Sequence, residues 1–559
     1  MEKILDNNYY DLIINNVSIP MYSTGDNITM LNFRHSLLHI PKTNSDPCTL
    51  GVYPYHSFPT LYVPTSTVSI EKSGIGTVQR NPFLGLFGRG VIVGIIDTGV
   101  DYRHQAFLYN DNSTRILSIW DQSVQGTSPP EGFTFGTEYK RELINLALRS
   151  DNPLSIVPSV DTDGHGTSIA SVIAGKPNIE GTFSGIVPES ELVVVKLKDA
   201  KPNLKEIFFV PDNVLCFQES DIILGIRYLI SYAQSVSRPV VICIALGSSQ
   251  EGHDGNGALS NYLNYLGRLP GIGLSVSGGN EGNNRRHYFN NTTQAPFYND
   301  FELRVGEQDR LFSMEIWPYA LGRLAVDVSS PNRESTQLIY PTIGSCRMYN
   351  FILTPSMLWV NNFIFEEESG DQLILLRFKD PLPGVWSIRV QSTENEPISF
   401  HTWLPSGNII SNETFFLNPN PDTTITSPAN GLHQLTVTAY NQFNDSILIE
   451  SSRGYTRTGL VKPDIAAPGY QLPCAIPGPG NRYGTITGTG AAAAHTAGAI
   501  AMIMEWAFPR GNYTSMTGYD VNRLLIRGAR REVPAVYPNN IWGYGQLDVN
   551  NLFRRLTNV

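Results

Sequence analysis

The chain has 559 residues, of which 41 % are hydrophobic and 16 % charged, and its formal charge is −10. That balance is too apolar for a disordered chain, and at roughly 150 residues per domain it predicts about three to four domains. Net acidity without a basic stripe excludes a phosphate-tracking nucleic-acid binder, and equally an anionic membrane surface as the main partner.

The start of the chain is interrupted by Asp6, Asn7, Asn8, Asp11, Asn15 and Asn16. It holds no apolar segment of a secretory signal, which predicts synthesis in the cytoplasm. Residues 1–75 are rich in Asn, Tyr, Pro and Ser, with short apolar stretches at 12–14 and 60–63, and read as a small leading segment. Residues 91–96, 192–197 and 240–246 are short and continuously apolar, as parallel strands buried on both faces are. Residues 221–230 repeat apolar side chains at helical spacing between two of these runs, so strand and helix alternate as in an α/β sheet. From about 295 to 420 the texture changes to alternating, aromatic-rich strands separated by turns, the pattern of an all-β sandwich. The α/β texture returns at about 421 and includes an alanine-rich helix from 491 to 506.

No apolar run reaches membrane-spanning length. Cys48, Cys216, Cys243, Cys346 and Cys474 are odd in number and form no CxxC, which predicts reduced, mostly buried thiols instead of disulfides or structural zinc. No motif calls for a cofactor.

Four blocks fall at strand ends or helix starts. In Ile95-Ile96-Asp97-Thr98-Gly99 a carboxylate directly follows an apolar strand, where open α/β sheets place ligands; an Asx turn or helix cap is the alternative. In Asp161-Thr162-Asp163-Gly164-His165-Gly166-Thr167 glycines flank a histidine ahead of a small-residue helix. Its Asp-x-Asp-Gly portion hints at a calcium loop, but no EF-hand spacing follows. In Ser277-Gly278-Gly279-Asn280-Glu281-Gly282 a side-chain amide follows two glycines and can point an N–H donor to where charge develops; a plain Gly-Asn turn is the alternative. The fourth, Gly488-Thr489-Gly490, runs into four alanines, His495 and Gly498.

In this order the blocks resemble the subtilisin-like serine peptidases, the subtilases. The resemblance also takes in residues 242–247, Ser451-Ser452-Arg453-Gly454, the 462–469 block and Trp542-Gly543-Tyr544-Gly545, and covers about 80–290 and 421–559. It implies a subtilisin-like parallel sheet flanked by helices, a small N-terminal prodomain-like segment over 1–75, and a subtilase domain in two parts, 76–294 and 421–559. Residues 295–420 then form an inserted all-β, jelly-roll-like module. Among subtilases the layout resembles the clostridial spore-germination (Csp-type) subgroup, which implies association with the spore.

Carried over block by block, the resemblance makes Asp97 the catalytic aspartate, His165 the histidine and Asn280 the oxyanion-hole donor. Ala245, Leu246 and Gly247 become the edge that binds substrate backbone. The partners implied are a polypeptide substrate or partner protein and the chain's own N-terminal segment.

The nucleophile position departs from the family: Gly490 stands where it has serine. In the triad the serine oxygen attacks the carbonyl, the histidine takes its proton and the aspartate orients the histidine, so glycine offers nothing to attack with. Thr489 is adjacent but should project elsewhere, and Cys474 lies well upstream. Three readings follow: a pseudoprotease that binds polypeptides, an active serine endopeptidase whose serine has been removed from this sequence, and a binding protein that acts through the β module.

Overall fold

The computed structural model of the chain describes residues 9–15, 27–30, 35–41, 71–126, 128–200, 202–217, 219–319, 323–342, 346–366 and 369–557. The chain divides into two compact units, Met1–Pro64 and Thr65–Val559. In the first, strands Tyr9–Asn15 and Ile28–Met30 flank His35–Pro41 in an antiparallel sheet, with Leu12 and Ile28 both opposite Leu38. The apolar stretch expected at 60–63, and Cys48, lie outside the described residues.

The second unit is built on a nine-stranded sheet. Its six central strands run parallel, in the order Leu435–Asn441, Ile272–Ser277, Val240–Ile244, Ile92–Asp97, Glu191–Lys196 and Ile116–Asp121. Every residue of Ile92–Asp97, Val240–Ile244 and Ile272–Ser277 is buried. The reason is that both faces are covered. On one, Val93, Ile95 and Val241 pack with Ile169 and Ile173 of helix His165–Ala174 and with the alanines and Ile500 of helix Thr489–Ala507. On the other, Ile92, Ile96 and Ile242 pack with Ile226 and Leu229 of helix Glu219–Ser235 and Leu263 of helix Ala258–Leu266. Continuous apolar runs in sequence are the consequence of two covered faces.

Helix Ile75–Arg80 joins this body, since Ile75 and Val78 are fully buried in the core that holds the Thr489–Ala507 helix. Ser73 just before it hydrogen-bonds His495 at 2.7 Å inside that core.

The β-rich stretch folds as two antiparallel sheets, six-stranded and four-stranded. Strand Tyr298–Val305 alternates strictly at its end, with Phe301, Leu303 and Val305 inward and Glu302 and Arg304 outward. The inward faces of both sheets share one core that includes Leu303, Phe312, Phe378, Trp386 and Phe400. This core is separate from the two that flank the parallel sheet.

The two-sheet module is fixed to the α/β body through buried polar and aromatic contacts. The Trp403 ring stacks on His253 with centroids 3.9 Å apart, and its indole N–H donates to the Thr423 carbonyl at 3.0 Å. The Tyr319 hydroxyl donates to the Arg457 carbonyl at 2.8 Å, and the Arg457 guanidinium pairs with Asp371 at 2.6 Å. Removing so large a buried ring leaves a cavity and orphans a carbonyl. Trp403→Ala should therefore cost about 3–5 kcal/mol, read as a lowered midpoint in chemical denaturation. A loss below about 1 kcal/mol would show that the stack does not hold the two parts together.

Candidate active site

Asp97 is the last residue of its strand, at the carboxyl edge of the sheet, and is 1 % exposed. His165 is the first residue of its helix. The two meet because the chain between strand and helix packs unusually close. Gly164 has φ +93°, and a Cβ on Gly166 would lie 2.2 Å from the Gly99 carbonyl oxygen, so a side chain at 166 would push the helix off the strand end. Asp161 stitches the same corner. Its Oδ1 accepts from the Thr98 hydroxyl and the Gly164 N–H, each at 2.8 Å, and its Oδ2 from the Thr167 N–H and hydroxyl at 2.8 and 2.6 Å. The Asp-x-Asp-Gly run thus serves as the acceptor for a helix start. Among the described residues no three His, Cys, Asp or Glu side chains are grouped to hold a metal ion.

His165 Nδ1–H donates to the Asp97 carboxylate, at 2.8 Å to Oδ1 and 3.0 Å to Oδ2. That contact fixes the ring so that Nε2 faces the start of the Thr489–Ala507 helix. A Cβ built on Gly490 would lie 3.5 Å from His165 Nε2 and 3.3 Å from the Ala245 Cβ. A hydroxyl on that Cβ would fall within reach of Nε2, with a few tenths of an ångström of give at Ala245. Gly490 also lacks the positive φ that would bar a side chain.

Asn280 stands beside the same helix start, its Nδ2 and Oδ1 3.2 and 3.3 Å from where a Cβ on Gly488 would lie. The Thr489 N–H and hydroxyl both donate to its Oδ1 at 3.0 Å. A backbone N–H can only donate, so this contact assigns the amide orientation and leaves Nδ2 as the group available to a ligand. Asn280 is exposed, and His165 and Gly490 are partly exposed, so all three are open to solvent at this sheet edge. Ala245 and Leu246 are half-buried and Gly247 is exposed, and the three directly follow strand Val240–Ile244, which puts Ala245 beside Gly490.

No neighbouring group takes over as nucleophile. The Thr489 hydroxyl is buried, donating to Asn280 and accepting from the Gly279 N–H at 3.2 Å. Cys474 is fully buried in strand Leu472–Ala475, and burial pushes its thiol up, away from the reactive thiolate. Cys243 is likewise buried and raised, by burial and by the Asp97 charge.

The adjacent Asp97 carboxylate holds His165 well above the ordinary imidazole value, at about 9, against burial that pushes it down. Asp163 and Asp161 add to the rise.

Thr98, Asp161 and Thr489 support the site and were not assigned site roles from sequence; the signal for each is a hydroxyl or carboxylate beside a site residue. Thr426 is also drawn to the cleft, from 146 residues beyond Asn280 in the chain, and no local signal marks it.

The subtilase family matches residues 88–299 and 384–545, and the chain belongs to that family. The solved structure of the Clostridium perfringens CspB protease superposes with a TM-score of 0.77 at 28 % identity, covering 88 % of this chain and 99 % of that one. Among curated proteins, the minor extracellular protease Vpr of Bacillus subtilis is 22 % identical over 92 % of this chain and 59 % of its own length. The C5a peptidase of Streptococcus pyogenes serotype M1 is 21 % identical over 75 % of this chain and 34 % of its own length. The chain thus spans only part of the curated relatives it matches.

The Asp97–His165 pair carries its own test. In a nuclear magnetic resonance titration the His165 ring should titrate near pH 9. Asp97→Asn should lower it, because the largest raising charge is removed while burial still pushes it down. Since the folded value is raised, the pair's contribution to stability is full below about pH 6.5 and is lost as pH rises through about 9. A midpoint near 6.5 in the unaltered chain would contradict this.

Proposed function

We propose that this chain is a pseudoprotease: it holds a polypeptide in the cleft bordered by Asp97, His165, Asn280 and residues 245–247 and does not cleave it. The observation that carries this reading is Gly490 at the nucleophile position. In subtilisin itself, loss of the serine lowers kcat about 2 × 10⁶-fold and leaves roughly 10³–10⁴ over water.

The peptidase names of the relatives support a polypeptide as the ligand class. The likeness to Csp-type subtilases supports a regulatory place in spore germination and an association with the spore. Without a serine, the leading segment is not removed by the chain itself.

A second reading is favoured by one observation. The space beside Gly490 accepts a serine side chain facing His165, so an active endopeptidase would need only that residue. A fluorophosphonate probe separates the two. The chain as it stands should take no label and keep an intact mass of 61.9 kDa, with no loss of its leading segment. Gly490→Ser should gain labelling and peptide cleavage if the remaining geometry is competent. Covalent labelling of the unaltered chain would overturn the pseudoprotease reading.

A further inference from the structure

The two-sheet module meets the α/β body around Trp403, and the meeting point holds three histidines. The His253, His287 and His401 rings stack with the Trp403 ring at centroid distances of 3.9, 5.0 and 5.2 Å. His287 and His401 stand on paired strands of the six-stranded sheet, His287–Thr292 and Ile398–Trp403. His253 belongs to the body, in loop 248–257, which continues directly from residues 245–247. Each of the three is 5 % exposed or less.

The cluster is short of hydrogens. One chain of contacts runs from the Asn420 carbonyl to the Arg457 carbonyl. His287 Nδ1 lies 3.0 Å from the Asn420 oxygen, and His287 Nε2 lies 2.8 Å from His401 Nδ1. His401 Nε2 lies 3.0 Å from the Tyr319 hydroxyl, which donates to the Arg457 carbonyl at 2.8 Å. These four contacts need four hydrogens, whereas two neutral imidazoles and a phenol supply three. The Asn420 carbonyl only accepts, so His287 donates to it and His401 donates to His287. The shortage then falls between His401 Nε2 and the Tyr319 oxygen. Tyr319 is 40 % exposed, so water reaches the chain at this end. His253 has the same shortage. Its ring nitrogens face the Ile425 and Ser249 carbonyls at 2.8 and 3.2 Å, and a neutral ring has one hydrogen for the two.

Protons would fill both gaps, but while the junction is closed they have to be held out of water. Burial pushes His253 down to about 4, His287 to about 3 and His401 to about 2. The rings disfavour one another's charge, and Arg457 adds a like charge against His253 and His401. Asp254 and Asp371 pair with that guanidinium at 3.3 and 2.6 Å, and Asp254 favours charge on His253. An opened junction returns the rings to ordinary values near 6.5, so opening takes up protons.

Two carboxyls at the same junction act the other way. The Glu251 N–H and the Trp317 indole donate to Glu315 at 3.2 and 3.0 Å, and the Ser427 hydroxyl donates to Glu251 at 2.8 Å. Burial pushes both carboxyls up to about 7, with Glu219, Glu315 and Asp254 adding to the rise at Glu251 and Glu366 at Glu315. The imidazoles favour closure fully above about pH 6.5 and lose that contribution as pH falls toward 4. The carboxyls favour closure fully below about pH 4.5 and lose theirs as pH rises through about 7. With three imidazoles against two carboxyls, the balance tips toward opening as pH falls below 6.5.

We propose that this cluster is an acid-opened latch: proton uptake by His253, His287 and His401 releases the two-sheet module from the α/β body and frees loop 248–257. The latch does not depend on what the cleft binds.

The test is hydrogen exchange of the full chain, with rates corrected for the intrinsic effect of pH. Between pH 6.5 and 5, protection of residues 248–257 and 398–403 should fall about tenfold while strand Ile92–Asp97 stays protected. Glu251→Gln combined with Glu315→Gln removes the opposing carboxyls and should deepen the fall to about a hundredfold or more. His401→Gln should flatten it, whereas loss of packing alone would lower protection equally at both pH values. Protection of the module that is unchanged or higher at pH 5 in the unaltered chain would overturn the latch. So would loss of protection at Ile92–Asp97 in step with the module, which is unfolding of the whole chain.

Discussion

The contact on which this molecule's function turns is the hydrogen-bonded pair of Asp97 and His165. Everything nearby serves to make it. The carboxylate is carried to the sheet edge by a strand buried on both faces, and the imidazole by the first residue of a helix pressed onto that edge through glycines at 164 and 166. Asp161 binds the helix start and the residue after Asp97 at once. A pair placed with such support in a working triad orients a base. Here the same pair faces Gly490, which offers no hydroxyl for the ring to act on.

That shift in role follows from one side chain. The family keeps serine, histidine and aspartate because each depends on the others: the aspartate raises the basicity of the ring, and the serine gives the ring a proton to accept. Take the serine away and the raised basicity of the ring has no hydroxyl to act on. The fold is indifferent to the change. Glycine is accepted at a helix start, the alanines after it still pack against the sheet, and His495 still bonds Ser73 within the core. The packing of this helix start therefore does not depend on the side chain at 490.

Much of the scaffold was legible in the sequence because its signals are local. Two covered faces make residues 91–96 and 240–246 apolar without interruption, and one covered face makes residues 301–305 alternate, so α/β and sandwich regions could be told apart by period alone. The site blocks were legible because each is contiguous: Asp97 ends a strand, His165 starts a helix, and Asn280 follows two glycines. What stayed hidden is what arrives from far along the chain. Thr426 enters the gap between Gly247 and Gly279 only after the two-sheet module has been traversed, and nothing in its own neighbourhood distinguishes it from any threonine in a turn. Helix Ile75–Arg80 was assigned in part to the leading segment because its few apolar residues gain meaning only against the Thr489–Ala507 core.

The central claim is that a polypeptide occupies the cleft and leaves it whole. Hydrogen exchange followed by mass spectrometry, with the chain mixed with a defined peptide pool at neutral pH, addresses both halves in one sample. The account predicts slowed exchange confined to residues 245–247, 279–280 and 489–491, with every peptide recovered at its original mass. Peptides recovered as fragments, or unchanged exchange across those residues while peptide binds elsewhere, would contradict it.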